Sequence, residues 1–287
     1  MDSIRLNAMA KINLGLDVTG KRPDGYHELR MVMQMINLYD KIEIIKLETP
    51  EIIVETNLSF LPVNENNIVY KAAQLLMNKF HLTQGVRIVL EKHIPVAAGM
   101  AGGSSDAATV LYGMNKLFSL GMTKKQMMEE GVKLGADVPY CVLRTTALSE
   151  GIGEILTTLP PMPKCHIVIA KPGISVSTKA VFGKLRVNEI EEHPDIDGIV
   201  EAIKAGSLTD IASRLGNTLE EVTIKDYPVI AQIKEEMIAQ GALGALMSGS
   251  GPTVFGIFDD EKKAKNAYTV LKAGTQARQV FLTKPVN

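Results

Sequence analysis

Residues 95–105 read Pro95-Val96-Ala97-Ala98-Gly99-Met100-Ala101-Gly102-Gly103-Ser104-Ser105, with no lysine among them. A β-favouring run at 86–90 precedes this segment. A helical pattern follows it, with Ala107, Val110, Leu111, Met114, Leu117 and Phe118 on one apolar face. Gly99, Gly102 and Gly103 permit backbone turns closed to other residues, so that several amides can face one point. Ser104 and Ser105 then open the helix, whose free N–H groups and positive dipole end favour an anion. The segment reads as a phosphate cradle. The alternative is an ordinary glycine-rich turn with Ser104 as the helix N-cap. A Walker A loop would end in Gly-Lys-Ser/Thr and a dinucleotide fingerprint would read Gly-x-Gly-x-x-Gly; neither is present.

The rest of the chain alternates strand and helix signals. Residues 4–56 are strand-like and turn-rich, and apolar spacing predicts a helix over 66–80. Thr123 with Gln126 forms a capping-box pattern, and that helix is expected to stop at Gly135. Beyond the proline cluster at 160–163 come a strand at 166–170 and helical patterns near 177–185, 197–205, 209–216 and 228–241. The chain closes as strand, Gly-Ser turn, strand, helix and strand across 243–283. This mixture predicts an α+β fold in two lobes, divided as residues 1–159 and 160–287.

Charge narrows the possible partners. With 31 Lys+Arg against 32 Asp+Glu, the chain has no basic excess for neutralising a nucleic-acid backbone, so no nucleic-acid partner is expected. No apolar run reaches the length of a membrane span. Cys141 and Cys165 imply no disulfide framework, and Met1-Asp2-Ser3-Ile4-Arg5 leads straight into patterned sequence. A cytoplasmic protein without a leader is therefore expected.

Several side chains outside the loop invite a chemical reading. Lys11 and Asn13 share one face of a strand, opposite Ile12 and Leu14; taken alone, Lys11 reads as a solvated edge charge. Asp137, in Leu134-Gly135-Ala136-Asp137-Val138-Pro139, lies just past a helix end, where a turn aspartate is ordinary but an apolar setting is not. Ser248-Gly249-Ser250-Gly251-Pro252 is a second small-residue turn that could bring backbone close to a ligand. The five histidines are scattered, so no metal cluster is expected.

Taken together, these segments resemble the GHMP kinases, a family that includes galactokinase, homoserine kinase and mevalonate kinase. The loop at 95–105 is similar to the family's ATP loop, and residues 245–255 to its C-terminal glycine motif. Ala10-Lys11-Ile12-Asn13, Arg22-Pro23-Asp24-Gly25-Tyr26-His27, the Asp137 segment and Gly151-Ile152-Gly153-Glu154 resemble the members that phosphorylate a cytidine-diphosphate sugar alcohol. The resemblance implies a ribosomal-S5-like ATP-binding lobe and a C-terminal ferredoxin-like lobe, in a monomer or weak homodimer. It implies ATP as phosphoryl donor with Mg²⁺, and Lys11 and Asp137 as the catalytic pair. Ser105 is the implied metal ligand, and Asn66 would contact adenine. Asn13, Tyr26, His27, Thr178 and Phe182 would bind the alcohol substrate, with Tyr26, His27 and Phe182 at its cytosine. Another GHMP kinase, or a nucleotide-binding regulator without catalysis, are the alternative readings. Two positions depart from the pattern: Ala97-Ala98 replaces part of a glycine run, and Thr145 stands where glycine is expected. Thr145 would be strained if that position needed a positive φ.

Overall fold

The computed structural model describes residues 2–286. Two compact units emerge, neither continuous in sequence. The first takes the chain up to Ala10 with Leu38–Val96 and Ala101–Arg144; the second takes Lys11–Asn37, Ala97–Met100 and the chain from Thr145 onward. Two long strands, β1 (Ser3–Lys21) and β2 (His27–Leu47), contribute residues to both units.

In the first unit follow β3 (Ile52–Thr56), α1 (Ile68–Phe80), β4 (Gly85–Glu91), α2 (Gly102–Leu117), α3 (Lys124–Val132) and α4 (Val138–Leu143). The far half of β2 pairs antiparallel with β4, placing Ile42 opposite Leu90 and Ile44 opposite Ile88, and β3 runs parallel to β4. Period-two alternation sets this register: Ile42 and Ile44 are buried, whereas the intervening Glu43 is half-exposed. Asn67 caps α1 by accepting from the Val69 N–H at 3.0 Å. Helices α1 and α2 pack together, and their buried faces carry Ala72, Ala73, Ala107 and Ala108, small enough for close helix approach. The Thr123–Gln126 capping box forms as the sequence predicts.

Arg144 ends α4 in the left-handed region at φ 59°, and its guanidinium donates to the Asn7 carbonyl at 2.9 Å. The strain expected at Thr145 therefore does not arise: the left-handed residue is Arg144, one position earlier, and Thr145 itself has no positive φ.

The second unit adds β5 (Ala147–Gly151), β6 (Ile155–Thr158), β7 (His166–Lys171), α5 (Thr178–Lys184), α6 (Ile196–Ala205), α7 (Leu208–Ser213) and β8 (Gly216–Asn217). It closes with α8 (Glu220–Asp226), α9 (Val229–Ala239), β9 (Gly244–Met247), β10 (Val254–Phe258), α10 (Glu261–Ala273) and β11 (Gln279–Thr283). Four of these strands form an antiparallel sheet in the order β11-β7-β10-β9. Helix α9 packs on β9 and β10, and α10 on β7 and β11. This is the ferredoxin-like lobe. All five β10 residues are buried, and fully burying Phe255 and Phe258 contributes roughly 1.5–3 kcal/mol each. Elsewhere in the unit, β5 pairs with the near half of β2, and β8 runs parallel to β1 with Gly15 opposite Gly216. Among the described residues no helix is long and apolar enough to cross a membrane.

Candidate active site

The loop at 95–105 makes three left-handed turns at alternate residues: Ala97 at φ 51°, Gly99 at 70° and Ala101 at 52°. Alternation of this kind turns successive amides toward one side and forms an anion-binding concavity. Glycine fills only the middle position; alanine, with a smaller left-handed penalty than β-branched residues, fills the other two. Gly102 and Gly103 are not left-handed and instead begin α2. The helix thus opens earlier than the sequence suggests: Ala101 is the N-cap residue, and Ser104 and Ser105 lie within the first turn. Its first intrahelical bond runs from the Ser105 N–H to the Ala101 carbonyl at 2.8 Å. The N–H groups of Gly102, Gly103 and Ser104 precede it and have no intrahelical acceptor. Gly103 is exposed, and a Cβ there would meet only Ile68 Cγ2, at 3.6 Å. Asn66 is exposed ahead of α1 and donates its N–H to Asn64 Oδ1 at 3.1 Å.

Lys11 is buried, not a solvated edge charge, because β1 is buried without a break from Ala10 to Val18. Its ammonium donates to Asn13 Oδ1 at 2.7 Å, and Asn13 Nδ2 faces Met31 Sδ at 3.4 Å. The Lys11 backbone N–H donates to the Met100 carbonyl at 3.1 Å, tying the strand to the loop.

The second glycine turn reaches the same loop. Ser248 Oγ donates to the Gly99 carbonyl at 3.0 Å, and a Cβ on Gly99 would overlap the Ser248 carbonyl oxygen. Two residues outside both motifs hold the turn in place. Asn217 Nδ2 donates to the Met247 and Gly249 carbonyls, each at 2.8 Å, and Glu220 Oε1 accepts from the Met247 N–H at 2.8 Å. Sequence reasoning did not single out either one. Their trace in the sequence is an Asn and a Glu three positions apart, at the end of β8 and the start of α8.

Thr178 Oγ1 and Ser250 Oγ share a hydrogen bond at 2.8 Å, joining the start of α5 to this turn. Phe182, one helical turn further along α5, lies with its ring 5.0 Å from that of His27, tilted by 33°. His27 is partly buried, which lowers its imidazole pKa, and Lys21 lowers it further. Tyr26 stands 60% exposed on the adjoining hairpin, where its N–H is fixed by Asp24 Oδ1 at 3.1 Å.

Asp137, in the first unit, occupies the residue before α4, and its carbonyl accepts the Cys141 N–H at 3.1 Å. Its carboxylate does not cap the helix and is half-buried. Among the described residues no cluster of His, Cys, Asp and Glu side chains is arranged to hold a metal ion.

Family models for the GHMP kinases match the chain twice, the N-terminal domain at residues 67–145 and the C-terminal domain at 199–275. The chain belongs to this family of small-molecule kinases, which use ATP as phosphoryl donor. It is 58% identical to a 4-diphosphocytidyl-2-C-methyl-D-erythritol kinase of Lachnospira eligens, over 99% of each chain. The enzyme of that name from Clostridium perfringens is 46% identical, again over 99% of each. Among solved structures, a 4-(cytidine 5'-diphospho)-2C-methyl-D-erythritol kinase superposes with a TM-score of 0.84 at 31% identity, covering 99% of this chain and 100% of that one.

Proposed function

We propose that this chain transfers the γ-phosphate of ATP to the 2-hydroxyl of 4-diphosphocytidyl-2-C-methyl-D-erythritol, giving the 2-phosphate and ADP in the non-mevalonate route to isoprenoid precursors. The observation that carries this reading is the meeting of three separately coded segments. Met100 of the loop accepts from Lys11, and Gly99 accepts from Ser248 of the second glycine turn. A turn built only as a connection has no need of that convergence.

In this reading the amides at the start of α2 hold the triphosphate, and Gly103 stays bare because the nucleotide, not protein, fills the space over it. Asp137 accepts the proton of the attacking hydroxyl, and Lys11 offsets the charge that builds on the phosphoryl oxygens. Asn13 orients the methylerythritol unit. Tyr26 and Phe182 stack on the cytosine, and His27 reads its edge. A neutral imidazole can both donate and accept there. Ser105, buried in the first turn of α2, carries a hard hydroxyl oxygen and would be the residue to hold Mg²⁺, which would supply charge neutralisation to the phosphates.

The test is ADP release, coupled to a colour change, with this cytidine substrate against mevalonate and homoserine. Turnover confined to the cytidine substrate supports the assignment; turnover on either control instead would move the chain to another branch of the family.

A further inference from the structure

Three ionisable side chains meet beneath the first turns of α2. Lys92, just past β4, Asp40 on β2 and Asp106 on α2 are all buried. The Lys92 ammonium donates to Asp40 Oδ2 and, at 2.7 Å, to Asp106 Oδ2. The two carboxylates differ sharply in how well they are satisfied. Asp40 Oδ1 also accepts the N–H groups of His93 at 2.5 Å and Ile94 at 2.8 Å, whereas Asp106 Oδ1 has no hydrogen-bond partner. Lys92 is anchored through its backbone as well: its N–H and carbonyl both bond to the Asn57 side chain, at 2.8 and 3.1 Å. A Cβ on Gly102 would stand 3.2 Å from the Lys92 Nζ and 3.1 Å from Ile94 Cγ2, so the helix start rests directly on the ammonium.

Burial opposes the charge on Lys92, yet Asp106 and Asp40 outweigh it and hold its pKa above the ordinary lysine value. Burial pushes Asp106 well above the carboxylate range, with Lys92 opposing and Asp40 adding to the shift. A buried polar cluster of this kind adds little net stability over well-packed apolar side chains, so the worth of these three residues lies in geometry. That role follows from what each contact restrains. Apolar contacts along α2 are non-directional, whereas an ammonium anchored at Asp40 donates to Asp106 and holds it within hydrogen-bond distance, which limits sliding of the helix.

We propose that Lys92 is a positioning residue for the nucleotide loop, tethering the first turns of α2 through Asp106 to the fixed Asp40 so that the amides of Gly102, Gly103 and Ser104 keep their aim. This rests on the reading of residues 95–105 as the ATP loop. That loop contains no lysine of its own and depends on backbone aim alone, so the fixing must come from below.

The test compares Asp106→Ala with Asp106→Asn. The alanine variant leaves Lys92 paired with Asp40, so the ion pair survives while the tether to α2 is lost. A small misaim of binding groups can cost up to about 100-fold, and we expect a rise of roughly 10-fold or more in the KM for ATP with the KM for the alcohol substrate unchanged. The asparagine variant still offers an oxygen to Lys92 and should restore most of the ATP affinity. Lys92→Met is the second variant, expected to act in the same direction. Unchanged ATP KM in folded Asp106→Ala protein, equal losses for both substrates, or no restoration by asparagine each overturn the proposal. Gly103→Val, measured alongside by calorimetry with a non-hydrolysable ATP analogue, separates the two readings. Weakened binding there with none in Asp106→Ala removes only the tether; intact binding there removes the ATP-loop reading and the tether with it.

Discussion

The carbonyl oxygen of Gly99 accepts the Ser248 hydroxyl at 3.0 Å, and a Cβ on Gly249 would stand 3.1 Å from that same oxygen. Two small-residue motifs 149 positions apart are therefore one backbone-to-backbone contact. Gly99, left-handed at φ 70°, has no room for a side chain because its Cβ would overlap the Ser248 carbonyl oxygen; Gly249, left-handed at 58°, has only a tight fit for one.

Gly99→Ala should consequently destabilise the protein. The left-handed strain alone costs about 1–2 kcal/mol, and the overlap with the Ser248 carbonyl adds to it. Gly103→Ala is the contrasting case: its Cβ has room within the protein, so the melting temperature should stay near wild type while ATP affinity falls. Thermal unfolding of both variants decides the matter, and equal melting temperatures would remove the packing argument at Gly99.

Asp137→Asn should abolish turnover with ATP affinity nearly intact. Positioned acid–base groups typically contribute about 10²–10⁴ in rate, and the carboxylate does not cap α4, so the fold loses no helix cap. Near-normal turnover by this variant would take Asp137 out of the mechanism.

Substrate choice should respond to the hairpin and α5, not to the loop. Tyr26→Ala and His27→Ala should raise the KM for the cytidine substrate and spare that for ATP, since stacking is worth about 1–3 kcal/mol per base. The lowered pKa of His27 adds a pH signature. From pH 8 down to the ordinary histidine value near 6.5 the ring stays neutral and this KM should hold steady, rising only in more acid solution. A KM indifferent to pH across the range would argue that His27 does not read the base.

A stability measurement can isolate Glu130, whose carboxylate is held below its ordinary value by hydrogen bonds first from Lys133 and then from Lys79. A depressed folded pKa stabilises above the unfolded value, near 4.3, and that contribution disappears as pH falls through the folded value. Glu130→Gln should thus be less stable than wild type at pH 7 by roughly 1 kcal/mol or less, and the gap should close in acid. Denaturant melts at both pH values would show a constant gap if the ion pairs were idle.

Much of this was legible in the sequence where a periodic pattern or a turn residue announced it. Between β7 (His166–Lys171) and β11 (Gln279–Thr283) most helices and strands fall close to their expected places, although the spacing predicts neither β8 nor the short helix α8 (Glu220–Asp226). Other features carry no local signal. Ala97 and Ala101 hide two left-handed turns, because alanine does not mark a positive φ as glycine does. Lys11 alternates with apolar neighbours as a half-exposed strand would, yet both faces of that stretch of β1 are covered. Asn217 acts on carbonyls 30 and 32 positions away, and Lys92 on Asp40, 52 positions back; no periodicity encodes such pairs.

The pairing of β1 with β8 sets a timetable for synthesis. Asp17 and Thr218, bonded at 3.0 Å, are 201 positions apart. At about 5–20 residues per second, the ribosome takes roughly 10–40 s to deliver the second partner after the first. For that interval β1 has β2 beside it on one edge, while its other edge, at Gly15 and Leu16, waits without β8. A chain released from the ribosome before β8 emerges would carry that edge open, offering its unpaired backbone groups to any other strand that met it.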